Sequence, residues 1–161
     1  MPLEIERKFL ILEGGWRDYP AVYYCQGYLN SHKERTVRVR IAGETAWLTV
    51  KGITLGAVRR EFEYAIPLAE GQELLNLCEK PLISKYRRKV PFGGFTWEVD
   101  EFTGENQGLI LGEIELTSEE EAFDRPPWLG EEVTRDSRYY NSSLVRYPYA
   151  FWRSPESRTP E

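Results

Sequence analysis

Glu4, Glu6 and Lys8 stand at alternate positions near the start of a 161-residue chain, separated by Ile5 and Arg7 and followed by Phe9. In an extended strand, residues two apart share a face at a spacing of roughly 7 Å. Two carboxylates and an ammonium would then line one side, setting a cation beside an anion. The alternation recurs downstream. Arg38 and Arg40 repeat it in base, Lys51 adds a base beside Thr49, and Glu61 and Glu63 repeat it in acid with Arg59. Lys85 and Arg87 follow with Lys89, then Glu98 and Asp100 with Thr96, then Glu113 and Glu115. Clustered Lys and Arg suit a polyanion, because guanidinium forks and ammonium groups match phosphate oxygens. Clustered Asp and Glu suit hard cations such as Mg²⁺ or Mn²⁺, which take oxygen ligands. A phosphate chain carrying divalent metal meets both demands at once.

Strands must position these groups. Eight segments read as strands, at about 3–12, 22–29, 35–42, 45–51, 59–67, 83–90, 95–102 and 109–116. They are rich in Val, Ile, Tyr, Phe, Trp and Thr and are bounded by Gly, Pro, Asn or charge clusters. The spacing predicts a helix over 69–80, with Leu74, Leu75, Leu77 and Cys78 as its apolar stripe. A second short helix is expected from Ser118, where Glu121 completes a capping box and Pro126-Pro127 ends it. A third begins at Asn141 or Ser142 and stops before Pro148. Two hairpins give the register. Gly43-Glu44 as a two-residue loop sets Arg40 opposite Trp47 and Arg38 opposite Thr49, with Lys51 on their face. Gly93-Gly94 likewise sets Lys89 opposite Glu98 and Arg87 opposite Asp100, pairing opposite charges.

The faces opposite the charges are mostly apolar: Ile5 and Phe9, Val37, Val39 and Ile41, Leu48 and Val50, Phe62 and Tyr64, Ile114 and Leu116. In an ordinary soluble sheet the apolar face is inside and the charged face meets water. Two features weigh against that arrangement here. Each strand carries charge of mostly one sign, whereas a solvated face tends to mix signs. The helices also carry apolar stripes that need a surface to cover. If they cover the apolar outside of a curved sheet, the charged face is the inner one. Eight antiparallel strands can close into a barrel and remove their edges. The expected fold is thus mainly β (α+β): an eight-stranded antiparallel β-barrel tunnel with a polar lumen and a few flanking helices. Residues 1–152 are expected to form one domain, and 153–161, polar and Pro-containing, a disordered tail.

Composition narrows the partners. The chain is 41% hydrophobic and carries a formal net charge of −5, which argues against a nucleic-acid surface but not against a clustered anion site. No apolar run approaches the roughly 20 residues that span a bilayer, and charge from Glu4 onward rules against a secretory leader. Cys25 and Cys78 match no metal or redox spacing, so a cytoplasmic setting is expected. The expected partner is a small polyanion, with no membrane; a homodimer is left open.

The ordered set Glu4-Ile5-Glu6-Arg7-Lys8, Gln26-Gly27-Tyr28-Leu29, Arg38-Val39-Arg40, Lys51, Arg60-Glu61-Phe62-Glu63, Lys85-Tyr86-Arg87 and Glu113-Ile114-Glu115 resembles the CYTH superfamily, the triphosphate tunnel metalloenzymes. The segment Pro126 to Thr134 is similar to a C-terminal stretch of small bacterial members. The resemblance implies an eight-stranded tunnel and metal-dependent chemistry on triphosphates. Inorganic triphosphatase is the activity implied first: a water attacks the terminal phosphorus in line, and pyrophosphate and phosphate leave. By the same resemblance, Lys8, Arg38, Arg40, Lys51, Lys85 and Arg87 bind the phosphates. Glu4, Glu6, Glu113 and Glu115 hold one or two Mg²⁺ or Mn²⁺ ions, and Glu61 and Glu63 are further ligands or orienters. Tyr28 sits near Lys51, the two assisting the reaction.

Alternatives remain at this level. The same tunnel could hydrolyse nucleoside or thiamine triphosphate, or act as an adenylyl cyclase. A non-catalytic polyphosphate-binding protein would need only the basic strands, and a structural barrel would turn its charges to water. His32, in a polar loop, reads as a surface residue, Tyr23, Tyr24 and Trp47 as packing residues, and Trp128 as an anchor for the C-terminal segment. No Walker-type glycine loop is present.

Overall fold

The computed structural model describes residues 3–153. Nine strands run β1 (Leu3–Ile11), β2 (Ala21–Asn30), β3 (Arg35–Ala42), β4 (Thr45–Gly52), β5 (Val58–Ile66), β6 (Ile83–Phe92), β7 (Phe95–Phe102), β8 (Ile110–Glu115) and β9 (Leu129–Glu132). Three helices accompany them: α1 (Leu68–Leu77), α2 (Asn141–Arg146) and α3 (Tyr149–Arg153). Around the barrel the order is β1-β5-β4-β3-β2-β6-β7-β8, and β8 returns to β1. All pairings are antiparallel. Closure depends on β1. One edge pairs with β8; the other is shared, with Leu3–Ile5 on β5 and Phe9 and Ile11 on β9.

The turns follow their residues. Gly43 has φ +63° while Glu44 stays at negative φ, and the strands pair from Ala42↔Thr45 onward. Gly93 and Gly94 both take positive φ, as a type I′ turn requires, and Phe92↔Phe95 closes that hairpin. The expected pairs Arg40↔Trp47, Arg38↔Thr49, Lys89↔Glu98 and Arg87↔Asp100 all form.

The barrel is covered by apolar groups outside and filled by charge inside. Phe9, Trp16, Trp97, Val99, Ile114 and Trp128 form one outer cluster, with edge-to-face contacts of Trp97 to Phe9 and Trp128. The helix expected over 69–80 is α1. It lays Gly71 and Leu75 on β3 and β4, where a Cβ at Gly71 would come within 2.6 Å of the Ala46 Cβ. The third expected helix is α2.

Three features depart from the sequence reading. Residues 118–121 form a turn, not a helix. Glu121 accepts from the Thr117 N and Oγ1 at 2.6 and 2.9 Å, one residue ahead of the expected cap. Phe123 then packs edge-on against Phe9 and Trp97, which keeps the segment extended. Second, β9 and α3 were not expected. Third, one end of the lumen is apolar. Ile83, Phe102 and Leu111 alternate in phase with Lys85, Asp100 and Glu113 and so face inward. They pack with Tyr28 against Leu144, Val145 and Trp152 of the C-terminal segment, which closes that end. The tail from 154 onward lies outside the described residues. No described helix is long and apolar enough to cross a membrane.

Candidate functional site

A cavity of about 630 Å³ runs inside the barrel. Every residue singled out above for phosphate, metal or catalysis lines it: Glu4, Glu6, Lys8, Tyr28, Arg38, Arg40, Lys51, Glu61, Glu63, Lys85, Arg87, Glu113 and Glu115. Period two explains the convergence. Each side chain sits in phase with the others on its own strand, and closing the sheet turns eight such faces onto one axis.

The basic wall is built by β2, β3 and β6. Arg87 donates from Nε and NH2 to the two oxygens of Asp100 at 2.7 and 2.8 Å, and reaches Glu98 at 3.1 Å. Lys85 Nζ lies 2.9 Å from the other side of this knot, at Asp100 Oδ2. Burial pushes the Lys85 ammonium down to about 7; Asp100 opposes that shift, and Arg87 and Arg40 add to it. Asp100 is itself buried, yet Arg87 and Lys85 hold its carboxyl well below the usual range. Arg40 differs. Among the described residues no carboxylate forms an ion pair with it. Its Nε donates to Gln26 Oε1 at 2.8 Å. Burial, with Arg38 and Arg87 nearby, lowers its guanidinium to about 9. Arg38 adds an unmatched donor: it bonds Thr49 Oγ1 through NH2 at 3.2 Å, while its buried Nε has no partner.

The acidic wall is built by β1, β5 and β8. Lys8 approaches Glu113 at 3.3 Å and Lys51 approaches Glu4 at 3.0 Å. Burial raises the Glu113 carboxyl, but Lys8 and Arg87 overcome it and bring the group down to about 2. Lys51 likewise lowers the Glu4 carboxyl against its burial. Glu6 and Glu115 face each other across β1 and β8, and among the described residues neither has an ion-pair partner. Burial, followed by Glu113 and Glu4, raises the Glu6 carboxyl well above the usual range. Burial followed by Glu4 raises Glu115 and Glu61 too. Like charges directly opposite on paired strands are destabilising. This half of the cavity is short of positive charge.

The donors here are carboxylate oxygens, the ligand type of hard divalent cations. Among the described residues no three His, Cys, Asp or Glu side chains converge as a ready-made metal site. The carboxylates fit such an ion by chemistry and charge, and Lys51 and Lys8 occupy three of them, Glu4, Glu61 and Glu113, in the arrangement seen.

Several lining or supporting groups have no role in the sequence reading. Asn141 Oδ1 accepts from Lys85 Nζ and from Gln26 Nε2, each at 3.0 Å. The Tyr139 carbonyl accepts from Lys8 Nζ at 3.1 Å, and Tyr140 lies under that ammonium. Tyr24, read as a packing residue, carries the Arg40 and Arg87 guanidiniums at 5.0 and 4.9 Å from its ring centre. Tyr28 lines the cavity, and Lys51 is engaged by Glu4 and Glu61.

The CYTH domain pattern matches residues 2–149, almost the whole barrel and its closing segment. The chain belongs to the CYTH domain family. Among its CYTH relatives is the inorganic triphosphatase of Acetivibrio thermocellus, 50% identical over 151 residues, covering 92% of this chain and 97% of that protein. The inorganic triphosphatase of Nitrosomonas europaea is 38% identical over 147 residues, covering 88% of this chain and 96% of that one. A solved structure, that of the inorganic triphosphatase NE1496, superposes with a TM-score of 0.61 at 35% identity, over 88% of this chain and 96% of that chain. The tunnel architecture inferred from charge alternation is thus the architecture of the family.

Proposed function

We propose that this chain hydrolyses inorganic triphosphate to pyrophosphate and phosphate with the help of Mg²⁺ or Mn²⁺. One observation carries the reading: among the described residues, a single cavity holds a half-buried guanidinium with no carboxylate ion pair, Arg40, and facing carboxylates with no cation, Glu6 and Glu115. A polyanion escorted by a hard cation balances both. The two relatives named inorganic triphosphatase support the choice of substrate.

In this reading Lys8, Arg38, Arg40, Lys51, Lys85 and Arg87 bind phosphoryl oxygens, and the unpartnered Arg38 Nε donates to one of them. They hold the chain still and stabilise charge as it spreads over the transferred group. Glu4, Glu6, Glu113 and Glu115 hold the cation, with Glu61 and Glu63 orienting it or adding ligands. When bound, a divalent cation supplies charge neutralisation at phosphoryl oxygens and acidifies a nearby water. Tyr28 and Lys51 assist at the reacting end. Water adds to the terminal phosphorus as the bond to the bridging oxygen breaks, and pyrophosphate departs with that oxygen. The unpaired Cys25 and Cys78 support a cytoplasmic setting.

The test is phosphate release from tripolyphosphate, ATP and thiamine triphosphate with Mg²⁺ and with chelator. Fastest turnover of tripolyphosphate, abolished by chelator, is expected. Faster turnover of ATP would reverse the substrate assignment. Tight tripolyphosphate binding with no metal-dependent cleavage would make the chain a binding protein.

A further inference from the structure

Two of the three inner arginines of the basic wall, Arg87 and Arg40, are anchored by different chemistry. Arg87 is gripped by acids, Asp100 and Glu98. Arg40 is gripped by a neutral carboxamide, Gln26 Oε1, at 2.8 Å, and by the face of Tyr24. Gln26 is completely buried on β2. Its amide nitrogen donates to Asn141 Oδ1 at 3.0 Å, and the same oxygen accepts from Lys85 Nζ at 3.0 Å. The Gln26 carboxamide is therefore oriented at both ends, oxygen toward a donor and nitrogen toward an acceptor. A carboxylate would hold the same Arg40 atom equally well in geometry, and buried guanidinium groups are commonly paired with one. It would also cancel the charge.

We propose that Gln26 is a positioning residue for anion binding: it fixes Arg40 while leaving the positive charge of Arg40 available, and Asn141 locks Gln26 and Lys85 in that arrangement. This rests on the reading of the cavity as a triphosphate site and deepens it. A wholly acid-anchored basic wall would be rigid but nearly neutral. An unanchored one would be charged but loose, because like-charged Arg38, Arg40 and Arg87 repel one another. Neutral amides give rigidity and net charge together. The relay also runs from the C-terminal segment into the wall, so Asn141 on α2 joins closure of one barrel end to the placement of two phosphate-binding groups.

The experiment measures tripolyphosphate affinity by calorimetry in chelator, where no turnover occurs, for the wild type, Gln26→Glu and Gln26→Leu, with melting temperatures recorded. A merely structural Gln26 predicts that Gln26→Glu, which keeps the acceptor for Arg40 but loses the donor to Asn141, binds better than Gln26→Leu, which loses both. The charge-sparing role predicts the reverse order, with Gln26→Glu weaker than wild type by at least about tenfold. If Gln26→Glu does not fold, Asn141→Asp against Asn141→Ala reads the same order from the other end of the relay. Wild-type binding with Gln26→Glu at or above Gln26→Leu overturns this proposal alone. A wild type that binds no tripolyphosphate at millimolar concentration overturns the triphosphate reading, and this proposal with it.

Discussion

On the β6–β7 side of the cavity, Lys85 and Arg87 converge on Asp100 at 2.9 and 2.7 Å. On the β1–β8 side, Glu6 stands opposite Glu115 and neither has an ion-pair partner among the described residues. The first region is assembled before any ligand arrives: a buried acid holds two bases in place, and amides hold a third. The second region has its side chains in place but not its charge balance. The difference separates what the fold must build from what a ligand can supply. Guanidinium and ammonium groups repel one another and need fixed anchors to stay clustered. Carboxylates can crowd because a cation, once bound, becomes their common anchor.

The sharpest way to break this contrast is Asp100→Ala. It leaves Arg87 and Lys85 buried without their main counterion, and removing one partner of a buried pair costs about 3–5 kcal/mol. A loss of that size is expected in the unfolding free energy measured with urea. A loss near zero would mean that the basic wall is not preassembled. Acid titration gives the same answer another way. The carboxyls of Asp100 and Glu113 are depressed in the folded chain, the latter to about 2 despite burial, by Lys8 and Arg87. Their contribution is complete above the unfolded carboxylate value of about 4 and is lost as pH falls through the folded values.

Turnover should divide along the same line. Glu113→Gln is expected to lower metal-dependent turnover at least about tenfold, roughly 1.4 kcal/mol in barrier. Arg38→Ala is expected to raise KM with little change in kcat, since the guanidinium grips the substrate before and during the step. Wild-type steady-state constants in both variants would remove the assignment of the two walls.

The eight barrel strands, their hairpin register and the lining residues were legible because they depend on local rules. Gly43-Glu44 and Gly93-Gly94 fix two hairpins, and alternation then assigns every Lys, Arg and Glu to a face. What escaped lacks a local signal. Gln26 and Asn141 are uncharged and lie far apart in sequence, so no charge pattern marks their contact. The inward Ile83, Phe102 and Leu111 share a face with the charges and become intelligible only once Leu144 and Trp152 are seen against them. β9 is four residues long and acid-rich, and forms because β1 offers a free edge where β5 leaves off. At Ser118 a sound local capping signal lost to the aromatic anchoring of Phe123.

The basic wall should also betray itself through pH. Burial, opposed by Asp100 and aided by Arg87 and Arg40, brings Lys85 to about 7. Raising the pH through neutrality removes that charge, so tripolyphosphate affinity should fall severalfold more in the wild type than in Lys85→Met. Comparing the two cancels titration of the ligand itself. Stability should move the other way. Between about pH 7 and the ordinary lysine value of about 10.4 the unfolded chain binds more protons than the folded one, so the Lys85 contribution to stability rises with pH. If affinity and stability fell together, Lys85 would not be the group responsible.

The smallest effect is the most direct test of the acidic wall. Glu115 is directly opposite Glu6 on the paired strand, and its carboxyl is raised by partial burial and then by Glu4, Glu61 and Glu98. Replacing it with Gln removes a negative charge that works against Glu4, Glu61 and Glu98 while keeping the side chain's shape. Without metal, Glu115→Gln should therefore raise the unfolding free energy by about 0.2–1 kcal/mol, the range for cross-strand charge contacts. With Mg²⁺ or Mn²⁺ added, the gain should shrink or reverse, because the wild type acquires a bound cation that the variant holds less well. The base-wall substitution of Asp100 has the opposite sign in the metal-free protein. If Glu115→Gln destabilised the metal-free chain as well, Glu6 and Glu115 would be satisfied without a cation, and the two walls would be built alike.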